Sequence, residues 1–438
     1  MFTFYTSAID KTILNCSEFI LNKNKFIRNR KVSFKDFVKF FCFRRGTTNQ
    51  DDFDKFVENM LDADDLELTR QDISQQRTYI NPIVFKEINK QYLREINYNK
   101  NSPLFNIFKG FRICAGDGSD FELPNFPEVK KEFQVPDKSL TKKVGPTAKF
   151  SGIVDTLNGF ILDGIIGNHK ESEQKLMYQN LENVKDITPL ESTIFVFDRG
   201  YNSMEFYANL IDMNTYFVVR LINKFYKKEK SKVKSNDGEI KLNLKGQRIK
   251  RFKNEELKEK FSDETELTLR LTTIKLENGE TEHLLSNIPK NIMNTEDISF
   301  IYHLRWGIET NYNTLKNREY IENYSGKRRI TIEQDIYSKF LRHNIFHHYK
   351  NYLNIIINNK KRKKGITTKY KVDQANLIRK LNDYLPIMIL NPRKKIIRKY
   401  TKKIITKCVK APNKDEPNPP TPRNNKLKRK FNINYSQM

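Results

Sequence analysis

The amino-acid sequence predicts an α/β protein: a mixed sheet core with a β-rich insertion, flanked by helical N- and C-terminal regions. Three observations carry this. Apolar residues recur at helical spacing through the first hundred residues, the period changes to that of strands near residue 110, and helical patterning returns from about residue 331. At 438 residues the chain is about three times a typical domain, so two to four units are expected.

The helical N-terminal region covers residues 1–105. Phe34, Phe37, Val38 and Phe41 follow the i, i+3, i+4, i+7 pattern of one helix, and Phe53, Phe56, Val57, Met60 and Leu61 mark another. An acidic turn (Asp62, Asp64, Asp65) then leads into a Gln- and Arg-bearing segment, 69–77. Two helices joined by a short break suit a DNA groove-reading pair, and they equally suit a plain bundle.

The first part of the core is expected over 106–222. Residues 111–115 form a short apolar strand ending at Gly116-Asp117-Gly118, and 150–154 and 160–166 form two more. The last two are joined through Asn158-Gly159, a pair that accepts the positive φ of a tight hairpin turn, which predicts antiparallel neighbours. A helix over 171–184 leads to the uniformly apolar run 193–197, a buried central strand that stops at Asp198. A helix (203–212) and a strand (216–221) follow.

Residues 223–290 are Lys-rich and strand-like in short runs, 239–244 and 267–276, and predict a β-rich insertion subdomain flanking the site. A core helix opens near Thr295 within 291–330, with Glu296 and Asp297 complementing its dipole. A helical C-terminal region, 331–410, is interrupted by basic residues 360–364, and a basic tail closes the chain over 411–438. Residues 391–438 hold 15 Lys/Arg and two acids, so much of the net charge of +27 sits at that end.

A field of +27 attracts polyanions, although a Lys-, Asn- and Ile-rich composition alone also raises charge. Cys16, Cys42, Cys114 and Cys408 are widely spaced and form no C-x-x-C pair, so free thiols are expected. His343 and His347 stand four apart on a helix without a third ligand nearby, which favours a structural role. Without a signal-like start or an 18-residue apolar run, a soluble cytoplasmic protein is expected.

On a helical wheel with Tyr302 at zero, Arg305, Glu309 and Lys316 fall at about −60°, −20° and −40°, one narrow face. An ordinary polar face with an Arg305–Glu309 ion pair gives the same pattern. Asp117 and Asp198, however, each end a predicted strand, where α/β sheets place reactive groups. Two strand-end aspartates and a helical glutamate provide the hard oxygens that two-metal phosphoryl transfer needs.

Tyr302-x2-Arg305-x3-Glu309-x6-Lys316 resembles the Y-(2)-R-(3)-E-(6)-K signature of insertion-sequence family 4 transposases. Ala115-Gly116-Asp117-Gly118-Ser119 is similar to the family's first-aspartate segment, and Phe197-Asp198-Arg199-Gly200-Tyr201 to its second. The likeness spans residues of about 30 to 435. It implies a ribonuclease H-like core in which Asp117, Asp198 and Glu309 are both the catalytic residues and the ligands of two Mg²⁺ ions, with Mn²⁺ as a substitute. Arg305 and Lys316 would hold phosphates and Tyr302 would position the terminal strand. Asp120 and Glu122 compete with Asp117 for the ligand role, and the family pattern favours Asp117. The implied partners are double-stranded DNA with terminal inverted repeats and target DNA. They would be met as a homodimer on paired ends, nucleoid-associated and away from membranes. The rival functions are an inactive DNA-binding regulator of transposase ancestry and an unrelated ribonuclease H-like nuclease.

Overall fold

The computed structural model describes residues 4–27, 32–44, 49–58, 69–98, 104–135, 145–276 and 279–415. The N-terminal region is helical: α1 (Phe4–Ile13), α2 (Phe34–Phe43), α3 (Asn49–Val57), α4 (Arg70–Arg77) and α5 (Ile83–Glu95). Ser33 and Thr69 open α2 and α4 with reciprocal capping boxes to Asp36 and Asp72, satisfying amides that a helix start leaves orphaned. Phe34, Phe37, Val38 and Phe41 are all buried, and Phe40 meets Phe53 edge-on at 5.4 Å. Met60, Leu61 and the acidic turn lie outside the described residues. Arg77, expected on a groove-reading helix, is 1% exposed. Its guanidinium donates to Asp335 at 2.9 Å, Gln334 at 2.9 Å and Ser325 at 2.6 Å. It ties α4 to the protein and faces no groove.

The core elements follow as β1 (Arg112–Glu122), α6 (Pro127–Phe133), β2 (Thr147–Asp155), β3 (Ile161–Asn168) and α7 (Glu173–Val184). Next come β4 (Thr193–Phe197), α8 (Met204–Asp212), β5 (Tyr216–Arg220) and α9 (Lys227–Lys230). Then β6 (Asp237–Asn243), α10 (Gln247–Lys250), α11 (Glu255–Lys260), β7 (Glu266–Lys275) and β8 (Thr281–Ser286) complete the strands of the main sheet. Among the described residues these eight strands form one mixed sheet in the order β3-β2-β1-β4-β5-β8-β7-β6. β1, β4 and β5 run parallel, and every other pairing is antiparallel.

Three expectations are corrected here. β1 does not end at Asp117: it continues to Glu122 against β2, while its pairing with β4 stops at Gly116–Phe197. Polar residues are tolerated beyond Ala115 because the strand loses one neighbour there, so the apolar run stops before the strand does. The β2–β3 hairpin is wider than a two-residue turn. Gly159 alone takes positive φ (80°), while Asn158 is buried and donates to Asp155 Oδ2 at 2.7 Å. Finally, residues 223–290 are β-rich but form no separate sheet. β8 pairs with β5, Val218 opposite Ser286, so the segment extends the core sheet.

The two sheet faces follow strand alternation. Ile113, Ile194, Val196 and Val218 pack with Ile298, Ile301 and Tyr302 of α12 (Thr295–Leu304). On the opposite face Phe197 meets Phe206 of α8 edge-on at 4.9 Å, and Met177 of α7 lies against Gly116. α13 (Trp306–Asn317) follows α12, and then α14 (Arg329–Arg362) runs 34 residues, ending in the basic cluster where cations complement the dipole. A small ribbon of β9 (Tyr370–Lys371) and β10 (Asn413–Lys414) brackets α15 (Gln374–Leu390) and α16 (Lys394–Val409).

Candidate active site

The helix expected to run unbroken from Thr295 past Glu309 is two helices joined at Arg305. Asn294 and Asp297 close a capping box at its start, as the acidic first turn anticipated. At the join Arg305 N–H donates to the Tyr302 carbonyl and Ile308 N–H to that of Arg305, both i→i−3 bonds of a tightened turn. Arg305 is buried there (8% exposed).

Asp117 and Asp198 sit where the parallel ladder of β1 and β4 runs out, one position beyond the last pair, Gly116–Phe197. Alternation puts Asp117 on the face of Ile113 and, through its extended backbone, Asp198 on the face of Val196. This is the face that α12 and α13 cover. Asp198 caps a short 3₁₀ turn, its Oδ1 accepting from Gly200 N–H at 2.7 Å. Asp117 Oδ1 accepts from Gly118 N–H at 2.8 Å.

Arg305 bridges the two elements. One guanidinium nitrogen stands 3.5 Å from Asp117 Oδ2, and another donates to Glu309 Oε1 at 2.9 Å. The ion pair anticipated as the plain alternative is therefore real, and its guanidinium reaches a second carboxylate as well. Glu309 itself is exposed. Burial, with the nearby Asp198 charge, pushes the Asp117 carboxyl up to about 7, against the pull of the Gly118 amide and Arg305.

The other expected residues are distributed around this centre. Tyr302 is 5% exposed, packed between α12 and the sheet among Ile113 and Val196. Lys316 donates from Nζ to the Asp120 carbonyl at 2.6 Å and lies 5.1 Å from the centre of the Phe121 ring. Asp120 and Glu122, the rival ligands, are each an odd number of residues from Asp117 on β1 and so point to the opposite face. His343 is buried and bonded at 2.8 Å to both Glu319 and Asn311, and His347 packs directly on Gly159; both are structural.

Two residues at the site escaped the sequence reading. Tyr312, one turn after Glu309, donates its hydroxyl to the Asp117 carbonyl at 2.8 Å and anchors α13 on β1. Its i+3 spacing from Glu309 was the available signal. Glu173, at the start of α7, accepts from Tyr201 Oη at 2.8 Å and lies against Gly118, where a Cβ would come within 2.6 Å of its carboxyl carbon. Nothing local marks it, since α7 packs on the other sheet face.

Among the described residues no three His, Cys, Asp or Glu side chains stand together in ligating arrangement. The donor set nonetheless fits a divalent cation. The oxygens are hard, Asp117 and Asp198 repel one another, and Glu309 is held off by the cation of Arg305.

A family model described as a transposase DDE domain matches residues 109–345, more than half of the chain and all of the segment from β1 into α14. The chain belongs to this family of DDE-domain transposases. Among solved structures it is similar to a piggyBac transposase synaptic complex with hairpin DNA, at 11% identity and a TM-score of 0.41, covering 91% of this chain and 82% of that one. No curated protein matches the chain. Among the described residues no helix is long and apolar enough to cross a membrane.

Proposed function

We propose that this transposase cleaves and joins DNA at insertion-sequence ends, with Asp117, Asp198 and Glu309 as ligands of two Mg²⁺ ions for which Mn²⁺ substitutes. The carrying observation is the convergence on one sheet face of Asp117, where β1 parts from β4, Asp198, just past the end of β4, and Arg305, which touches both Asp117 and Glu309. The sheet order β3-β2-β1-β4-β5, with β1, β4 and β5 parallel, supports a ribonuclease H-like core carrying those acids.

When bound, the two cations supply charge that sharpens the attacking oxygen and steadies the leaving one. The chain's residues do the rest. Arg305 would, with Glu309 engaged by a cation, have its guanidinium free to bind a phosphate flanking the cut. Lys316 presents a second cation on the same helix, and Tyr302 beneath Arg305 fixes where that guanidinium can reach. The substrate is double-stranded DNA with terminal inverted repeats, and joining to target DNA requires two ends held together, which a homodimer provides. A cytoplasmic, nucleoid-associated enzyme follows from that substrate.

The pairing of Glu309 with Arg305 also favours one second reading, a regulator that binds ends and never cuts. Two assays on the DNA flanking the gene decide between them: binding in Ca²⁺ and cleavage in Mg²⁺. Asn or Gln at the three acids should leave affinity within a few-fold and abolish cleavage. Normal cleavage by those variants would show the site misassigned, and a wild type that binds without cutting would favour the regulator.

A further inference from the structure

Among the described residues a dense cationic face lies on α16. Arg393, Lys394, Lys395, Arg398, Lys399, Lys402, Lys403, Lys407 and Lys410 are all exposed, and no Asp or Glu occurs between residues 384 and 414. Among the described residues none of these nine has an ion-pair partner. Ile397, Thr401, Ile404 and Cys408 form the buried stripe against the protein. Lys395, Lys399, Lys402 and Lys403 lie on the opposite side of the wheel at 100° per residue.

This helix conflicts with its own local physics. Five like-charge pairs stand at i,i+4 (394/398, 395/399, 398/402, 399/403 and 403/407), each destabilising. Lys394 and Lys395 occupy the first turn, where the dipole disfavours cations, and no side chain caps that end. The partners on hand are aromatic. Tyr384 of α15 and Tyr400 pack at 5.1 Å, with Lys403 over both rings and Lys380 over Tyr384. An extended polyanion relieves this strain along the full length of α16, about 24 Å at 1.5 Å per residue.

We propose that the exposed face of α16 is a seat for the phosphate backbone of duplex DNA, engaged without regard to base sequence. Lysines outnumber arginines on it, and an ammonium meets phosphate as a point charge, a contact that positions the duplex and carries no base information. The proposal rests on the DNA substrate proposed above, and its test is kept separate from cleavage.

The test is binding of the full chain to a random-sequence duplex in Ca²⁺ across a range of salt. Replacing Lys395, Lys399, Lys402 and Lys403 together by Ala should lower the log affinity–log salt slope by about 3 to 4 and weaken low-salt binding at least ~10-fold. The same four positions as Arg should retain both. The melting temperature of the Ala variant should equal or exceed that of the wild type, because repulsion is removed and Ala favours helix. Should the fourfold variant fail to fold, Lys395/Lys399 and Lys402/Lys403 replaced as pairs should each carry half the slope change. An unchanged slope and affinity in a folded variant overturns the seat, as does an equal loss in the Arg variant. A wild type that binds through α16 and never cuts in Mg²⁺ defeats the proposed function and leaves the seat. One that cuts while α16 variants bind normally does the reverse.

Discussion

Asp117 concentrates the residue-scale physics of the site. Its carboxyl, pushed up to about 7 by burial and the Asp198 charge, stays above the unfolded value of about 3.9. Between those values the unfolded chain gives up its proton first, so this group makes the metal-free protein less stable as pH rises toward 8. Mg²⁺ or Mn²⁺ should therefore raise the melting temperature more at pH 8 than at pH 6, and less in Asp198→Ala than in the wild type. A metal response identical in both proteins would count against Asp198 as a ligand. Tyr312 invites a second measurement. Tyr312→Phe removes the bond to the Asp117 carbonyl and should cost about 0.5–1.5 kcal/mol in denaturant titration. Cleavage should fall further than that loss of folding explains; cleavage unchanged in a folded variant would deny the anchor any catalytic consequence.

At the scale of elements, two packing choices carry consequences. α4 is fastened to α14 by Arg77 against Asp335, which Arg44 also approaches at 3.1 Å. Burial works against the Asp335 charge, yet Arg77 and Arg44 hold its carboxyl below the usual carboxylate range. That stabilisation is present at neutral pH and lost as pH falls through the lowered value. Arg77→Ala leaves Asp335 short of a partner and should cost about 3–5 kcal/mol at pH 7, less in acid. A loss under 1 kcal/mol, on the order of a surface pair, would mean the network is not what docks α4. The insertion offers the other choice. Because β8 is hydrogen-bonded to β5, deleting 223–290 bares the edge of the core sheet. The truncated chain should aggregate or lose cooperative unfolding. Soluble, two-state behaviour would instead point to an independent subdomain.

For the whole molecule, charge is the organising quantity, with +13 of the net +27 carried by residues 391–438, which hold 15 Lys/Arg and two acids. Residues 411–438 form the basic tail, and most of it lies outside the described residues. Deleting it should weaken a paired-end complex more than single-end binding in gel-shift titration. Equal losses would assign the tail to simple attraction.

The sequence by itself determined the local features. Apolar period marked α2, the acidic first turn marked the opening of α12, and an unbroken apolar run marked β4 to the residue. The spacing of Tyr302, Arg305, Glu309 and Lys316, and the Arg305–Glu309 ion pair within it, could be read in advance because side-chain type and order are written along the chain. Tertiary structure decided what depends on neighbours. β1 outran its apolar stretch because β2 accompanies it past the end of β4. The insertion joined the main sheet because the open edge of β5 accepted β8, a pairing across more than sixty residues with no local trace. Glu173 reached the site from α7, and Arg77 turned inward to Asp335, 258 residues away in sequence. Periodicity reports which face of an element is apolar. Which partner covers that face, and which charge meets which, is fixed only when the chain closes on itself.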